Sequence, residues 1–423
     1  MQKAKKEDQK KIKKWKWKIL LSFGFIYFFY YFGRENIGII LPLIKEEFCF
    51  NSFQLGIVTN GFFITYAFGQ LIWGRLSDRI GGGKLLCGIG GLLSMVLNWI
   101  CSFSSSIIAI GFFWAINGLV QSMGWSPGNK LISNWWDNKE RGYALSVVLS
   151  FSGIAILLLW LFGSYIGTHW GWKGLFRFPT VLLGIMSIIF LFLVKDNPQQ
   201  AGLLIQKKEN LKGKNKENYY DKRIIKFYLD MFKIIEFDLA CLVISISNFT
   251  RYFFTLWMPL YYFEKGGFAF EKVIIICSML PAGMTIGSLA VGEMSLKIFK
   301  GKKYLIIIVF LLTSMLSTFI LSFISVNSII WNMIFLFLVG FSIYGLQGPI
   351  FALSMDIVRE NQIATVVGTM DSVSYVIGSL QGIITGTILT LSGENWRLIF
   401  VVIALIQLIG LIIYYKFWQR MQF

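Results

Sequence analysis

The chain has 423 residues, of which 56% are hydrophobic, 17% aromatic and only 15% charged. Soluble domains average about 25% charged residues, so this composition excludes an ordinary water-facing globule, whose surface would carry large apolar patches. The net charge of +18 raises nucleic acid as a partner, but the Lys and Arg residues fall in short breaks between apolar runs rather than on one soluble domain, which argues against it.

The N-terminal stretch 1–18 holds nine lysines and reads as a basic tail ahead of the first apolar run. That run is long, and no small-residue cleavage site follows it, so it is a retained helix rather than a signal peptide. A spanning helix needs about 20 mainly apolar residues. Such runs occur at 19–43, 53–76, 85–103, 107–127, 144–166, 175–194, 239–262, 273–294, 304–324, 329–355, 364–389 and 398–415. The predicted fold is therefore an all-α membrane protein of twelve transmembrane helices in two six-helix bundles. Its expected parts are the tail 1–18, a bundle over 19–195, a linker over 196–236, a second bundle over 237–418 and a short tail 419–423.

Basic residues cluster after the even-numbered runs: Arg75, Arg79 and Lys84; Lys130, Lys139 and Arg141; Lys297, Lys300, Lys302, Lys303 and Arg359; Lys416 and Arg420. The excess of Lys and Arg on one side places that side, with both termini and the linker, in the cytoplasm. Richness in Lys, Ile and Phe fits an AT-rich genome, and a bacterial cytoplasmic (inner) membrane is the expected location. The five cysteines are scattered without a CxxC pair, and His169 is the lone histidine. That leaves nothing for a zinc site, a cofactor or a nucleophile constellation, so neither an enzyme nor a metal protein is expected. The expected form is a monomer in the lipid bilayer.

The halves echo each other. Arg34 and Arg251 each lie inside an apolar run, and 251 − 34 = 217. GRLSDRIGGGK starts at Gly74 and GEMSLKIFKGK at Gly292, and 292 − 74 = 218. Trp172 and Trp396 each precede the last run of a half, and 396 − 172 = 224. Duplicated halves with a site between them are a transporter architecture.

A charge at mid-bilayer costs about 3 kcal/mol on insertion scales. Arg34 lies about fifteen residues into its run, or roughly 22 Å at the helical rise, too deep to snorkel. Two readings follow. In one, buried carboxylates neutralise the arginines, with Glu35 adjacent; in the other, the two guanidinium groups converge on one anionic passenger. Their planar donor forks suit phosphate or carboxylate. Tyr31 and Tyr27, at i−3 and i−7, share the face of Arg34. Tyr66 and Gln70 form a second polar stripe, four residues apart. Glu35 and Asp371 are candidates for proton coupling. Glycines at 153, 163, 167, 368, 378, 382 and 386 read as close helix packing.

GRLSDRIGGGK resembles the loop between the second and third helices of the major facilitator superfamily. YYFGRENIGIILPLIKEEF resembles the first helix of two branches, the organophosphate:phosphate antiporters and the anion:cation symporters. GLVQSMGWSPGNKLISNWWDNKERG, DNPQQAGL, IYGLQGP and VVGTMDSVSYVIGSLQG are similar to the former. The resemblance implies alternating access, an arginine pair at Arg34 and Arg251 for substrate, and a conformational latch at Gly74, Asp78 and Arg79. It implies a phosphorylated metabolite exchanged for inorganic phosphate. The chain departs from that branch at Glu35 and Gln70, where lysines are common, and at Ser152, where some members have His. These departures keep two alternatives open: a proton-coupled symporter of a carboxylate or zwitterion such as an amino acid, and a non-transporting nutrient sensor.

Overall fold

In hydrocarbon every backbone N–H and C=O must be paired within its own segment, so long apolar runs become helices. The computed structural model describes residues 2–48, 52–203, 224–299, 302–358, 362–393 and 395–421. Residues 204–223 of the expected linker lie outside these, as do Met1, Cys49, Lys300, Arg359 and residues 422–423. The helices are α1 (Gln2–Phe32), α2 (Asn36–Phe48), α3 (Ser52–Ile80), α4 (Lys84–Phe103), α5 (Ile107–Gln121), α6 (Trp125–Trp135), α7 (Asn138–Leu193), α8 (Ile224–Met231), α9 (Ile235–Glu264), α10 (Phe270–Lys297), α11 (Lys303–Leu321), α12 (Ile329–Asp356), α13 (Ile363–Leu391) and α14 (Trp396–Met421). Among the described residues, ten stretches are long and apolar enough to cross a bilayer. The pair α1 and α2, together with α3, complete the twelve. Large apolar side chains such as Phe68, Ile108, Phe112 and Phe192 are exposed along the outer wall, where lipid is the natural solvent.

Four spans differ from the sequence expectation. The first is not one helix: it breaks between Phe32 and Asn36, and Arg34 stands in the break. No proline causes this. The Gly33 amide bonds to Tyr30 O at 3.1 Å, a three-residue closure where a continuing helix would use four. The fourth span is likewise interrupted, with residues 122–124 between α5 and α6. The fifth and sixth are joined without a loop inside α7, where Gly171 at φ 62° reverses the chain. A positive φ is accessible to glycine at little cost. Behind that turn the buried Trp172 donates its indole N–H to Glu47 Oε2 at 2.6 Å.

Residues 2–18, expected as a tail, are helical and run on into the first span. Trp15 stacks on Trp135 with ring centres 5.7 Å apart, and Lys16 Nζ reaches Glu140 at 3.1 Å. The root of the basic helix is thereby tied to the start of α7.

The first half comprises α1–α7 and the second α9–α14. They meet along two seams, α3 against α13 and α7 against α10. Small residues set the first. A Cβ on Gly74 would lie 2.5 Å from Ala364 O, and one on Gly368 would lie 2.3 Å from Gln70 O. Gly153 does the same for the second seam, facing Thr285 Oγ1 at 2.4 Å, whereas nothing lies within 4 Å of a Cβ at Gly382. Close approach of this kind is how helices gain dispersion contact where lipid removes the hydrophobic drive. Gly74→Val should force α3 away from α13. With Ser126→Cys in the same chain, labelling by a membrane-impermeant maleimide should rise several-fold over the Gly74 parent; equal labelling would show that the seam does not depend on this contact.

Candidate functional site

Arg34 projects from the break between α1 and α2, and Arg251 from the middle of α9, which runs on unbroken. Both are 4% exposed. The Arg34 guanidinium lies over the ring of Tyr31 at 4.3 Å, of Tyr66 at 5.3 Å and of Tyr27 at 5.6 Å. Its Nη1 donates to the hydroxyl of Tyr66 at 3.4 Å and, across the seam, to that of Tyr375 at 3.3 Å. Arg251 lies over the ring of Tyr252 at 4.3 Å. It donates to the hydroxyls of Tyr252 and, at 3.2 Å, of Tyr344. The hydroxyls of Tyr31 and Tyr344 stand 3.4 Å apart, so the two arginine shells join across the interface between halves.

The cage closes above and below. Tyr66 packs on Tyr375 with ring centres 4.3 Å apart, and Phe63, one turn further from Ile80, sits 4.6 Å from Tyr252. Six tyrosines and one phenylalanine thus surround two cations.

Counter-charge is what this cage lacks. Among the described residues, no carboxylate oxygen lies within 4.0 Å of either guanidinium. Glu35 does not neutralise its neighbour; it is half-buried, and its field falls on Tyr31 and Tyr252. Asp371 is buried on α13, and the charges acting on it are Arg251 first and then Arg34. Its Oδ1 takes a long 3.5 Å contact from Ser374 Oγ, and no arginine reaches it. Cation–π contacts contribute about 0.5–2 kcal/mol each, which offsets only part of the burial of two cations. The Nε and Nη2 of Arg34 are buried with no partner among the described residues. These two atoms form the side-on edge of the guanidinium, the edge that grips a carboxylate or phosphate through two parallel bonds.

Most of the nominated residues meet here. Tyr27, Tyr31 and Tyr66 line the Arg34 side. Gln70 does not: it lies one turn closer to Ile80, where its Oε1 accepts from Ser126 Oγ. Ser152 is buried beside the Tyr344 hydroxyl. Three tyrosines went unforeseen. Tyr252 is adjacent to Arg251, Tyr344 lies within IYGLQGP, and Tyr375 follows Asp371 by one turn. Adjacency and motif were the available signals.

The profile described as Major Facilitator Superfamily matches residues 23–382. The chain belongs to the Major Facilitator Superfamily. It is 27% identical to the Probable hexose phosphate transport protein of Chlamydia muridarum, over 97% of this chain and 92% of that one. It is 23% identical to the Membrane sensor protein UhpC of Salmonella typhimurium, over 95% and 91%. In fold it is similar to a bacterial homologue of the human lysosomal transporter Spinster, crystallised inward-facing and unoccupied. There the TM-score is 0.68 and the identity 17%, over 95% of this chain and 96% of that one.

The superfamily loop between α3 and α4 lies at the face where α1 begins and α14 ends. Asp78, its side chain 2% exposed, pairs with Lys130 Nζ of α6 at 3.0 Å. It also accepts from Thr365 N at 2.7 Å and Thr365 Oγ1 at 2.8 Å, in the first turn of α13. A carboxylate there meets unpaired amides and the positive end of the helix dipole. One acid therefore ties the first half to the second. Gly74 lies one turn away in the same seam, while Arg79 is exposed and stands apart from the cluster. Asp196 of DNPQQAGL repeats the device within the first half, its Oδ1 accepting from Gly83 N and Lys84 N at 2.7 and 2.8 Å. Sequence reading placed Lys130 only among the orienting charges. Breaking one side of a buried pair costs about 3–5 kcal/mol, so Lys130→Met should lower the unfolding temperature in detergent more than the double variant Asp78→Asn/Lys130→Met does. The reverse order would show that the pair does not carry this contact.

Proposed function

We propose that this superfamily member carries a phosphorylated metabolite by alternating access, in exchange for inorganic phosphate. The observation that carries the reading is the unused Nε–Nη2 edge of Arg34, buried with Arg251 in a cage without a paired carboxylate. A dianionic phosphate offers two charges to two guanidinium groups and enough lone pairs for both forks. The relative named as a hexose phosphate transport protein supports the same substrate class. Because the cage is built by both halves, an anion bound to it lies at their seam. Parting α3 from α13 at one end or the other would then expose it to one side of the membrane at a time. The expected setting is a bacterial inner membrane, with the Asp78 face and both termini cytoplasmic and the chain acting as a monomer.

Asp371 favours a second reading. It is a buried carboxylate facing both arginines without pairing with either, which suits a site that takes up a proton with a carboxylate or zwitterion. Counterflow in proteoliposomes decides between them. Liposomes loaded with inorganic phosphate should take up labelled phosphate or a labelled sugar phosphate, and a proton ionophore should leave most of that flux intact. Collapse of flux with the ionophore, together with uptake of a carboxylate or amino acid, would establish the symporter instead. Binding of a phosphate ester without flux would point to a sensor, the role named for the Salmonella relative.

The clamp itself has a sharper test. Lysine keeps the charge but not the fork. Arg34→Lys and Arg251→Lys should each reduce exchange to background, and near-normal uptake by either single variant would remove the clamp.

A further inference from the structure

A break inside a membrane-spanning helix frees backbone groups that lipid cannot satisfy. At the break in the first span, polar side chains from two other helices meet the freed carbonyl. Asn98 Nδ2 on α4 donates to Gly33 O at 3.2 Å, and Asn117 Nδ2 on α5 donates to the same oxygen at 3.0 Å. On the far side of the break Asn36 opens α2. Its Nδ2 donates to Asn98 Oδ1 at 3.0 Å and to Leu175 O at 3.2 Å. Behind these, Ser94 Oγ donates to Asn117 Oδ1 at 2.7 Å, and Gln121 Nε2 donates to Ser94 Oγ at 2.7 Å. Asn36, Ser94, Asn98, Asn117 and Gln121 are all 0% exposed. Glycine is required at 33 for the same reason, since a Cβ there would lie 2.8 Å from Gln121 Nε2.

The network grips the chain on both sides of Arg34, at Gly33 and at Asn36, and leaves Arg34 itself to face the cage. A side chain on a regular helix takes its direction from the helix. One on a break takes its direction from whatever holds the break. Among the described residues, the second half shows no such break. Moved by the repeat offsets of 217 and 218 residues, Asn36, Asn98 and Asn117 fall on Phe253, Leu316 and Phe335, and α9 runs unbroken past Arg251. Nothing in the tyrosine cage explains these five buried polar side chains, four of which stand on α4 and α5.

We infer that Asn98 and Asn117 are positioning residues for anion binding, which aim Arg34 by holding the Gly33 carbonyl. The inference rests on the reading of Arg34 as an anion ligand. Asn117→Leu leaves Gly33 O the donor of Asn98, so the chain retains a route to its fold; Asn117→Ala removes the same donor without crowding and serves as the second variant. The experiment is phosphate self-exchange by the full chain in proteoliposomes, with labelled inorganic phosphate. One lost hydrogen bond corresponds to a factor of about ten. The half-saturating phosphate concentration should rise by about that factor, more than the maximal rate falls, and Asn117→Gln, which keeps the carboxamide, should recover most of it. A loss of maximal rate and of thermal stability at unchanged half-saturation would show a purely structural role and overturn the inference. So would Asn117→Gln behaving no better than Asn117→Leu. An Arg34→Lys variant that exchanges phosphate like the unaltered chain would overturn the clamp instead, whatever the asparagine variants do.

Discussion

Two guanidinium groups buried without carboxylate partners are the constraint around which this molecule is arranged. Each costs free energy in a low-dielectric interior, and the protein answers with phenol rings and hydroxyls rather than with counter-ions. The difference matters. A carboxylate in contact would neutralise an arginine permanently and leave little reason for an anion to enter. A tyrosine hydroxyl accepts one hydrogen bond and its ring face adds electrostatic attraction, yet the positive charge remains available. The cage therefore lowers the cost of holding the arginines while leaving their positive charge unneutralised.

The second consequence is division of labour between the halves. Arg34 sits on a broken helix gripped from behind by asparagines, while Arg251 sits on a continuous one. The cage depends on contacts that cross the seam: Arg34 to Tyr375, Tyr31 to Tyr344, and the ring of Phe63 to that of Tyr252. Any motion that parts α3 from α13 must break these contacts. At the Asp78 face the same seam is held by a different kind of bond, a carboxylate on a helix terminus. Aromatic contacts can slide with small loss, whereas a capped helix end is either capped or not. The two ends of the seam thus differ in how abruptly they can open.

Much of this was legible in the sequence, and the remainder has physical reasons for being hidden. Twelve apolar runs and a 217-residue echo of arginines give the fold class, because hydrophobic length is a one-dimensional property. Tyr27, Tyr31 and Tyr66 were within reach because helical spacing or a shared stripe places them near Arg34. Tyr252, Tyr344 and Tyr375 come from three helices of the other half, and no period links them. Gln70 shows the limit of the stripe argument: four residues from Tyr66, it turns to Ser126 instead of to the cage. The break at Arg34 has a local trace in Gly33–Arg34–Glu35, but the residues that hold it lie more than sixty positions away, at Asn98 and Asn117. Hydropathy averages over such isolated amides and registers only the apolar run around them. The reversal at Gly171 falls inside the gap 167–174 that the apolar runs leave open; what hydropathy does not register is that the helix runs on to one glycine and turns there, because a positive φ has no hydropathic trace.

The asparagines also explain why the duplicated plan need not yield two equal arms. A repeat fixes where the arginines fall along the chain, but the direction of a side chain depends on the backbone beneath it, and that is set by neighbours the repeat does not share. With Phe253, Leu316 and Phe335 in place of three amides, the repeat-related positions of the second half carry nothing that could hold a broken helix open, and α9 runs unbroken past Arg251. The first half supports a local distortion because amides on α4 and α5, together with one on the distorted segment, replace the missing backbone bonds. The placement of those amides, as much as the arginine itself, decides that the unsatisfied edge at the centre of the molecule belongs to Arg34.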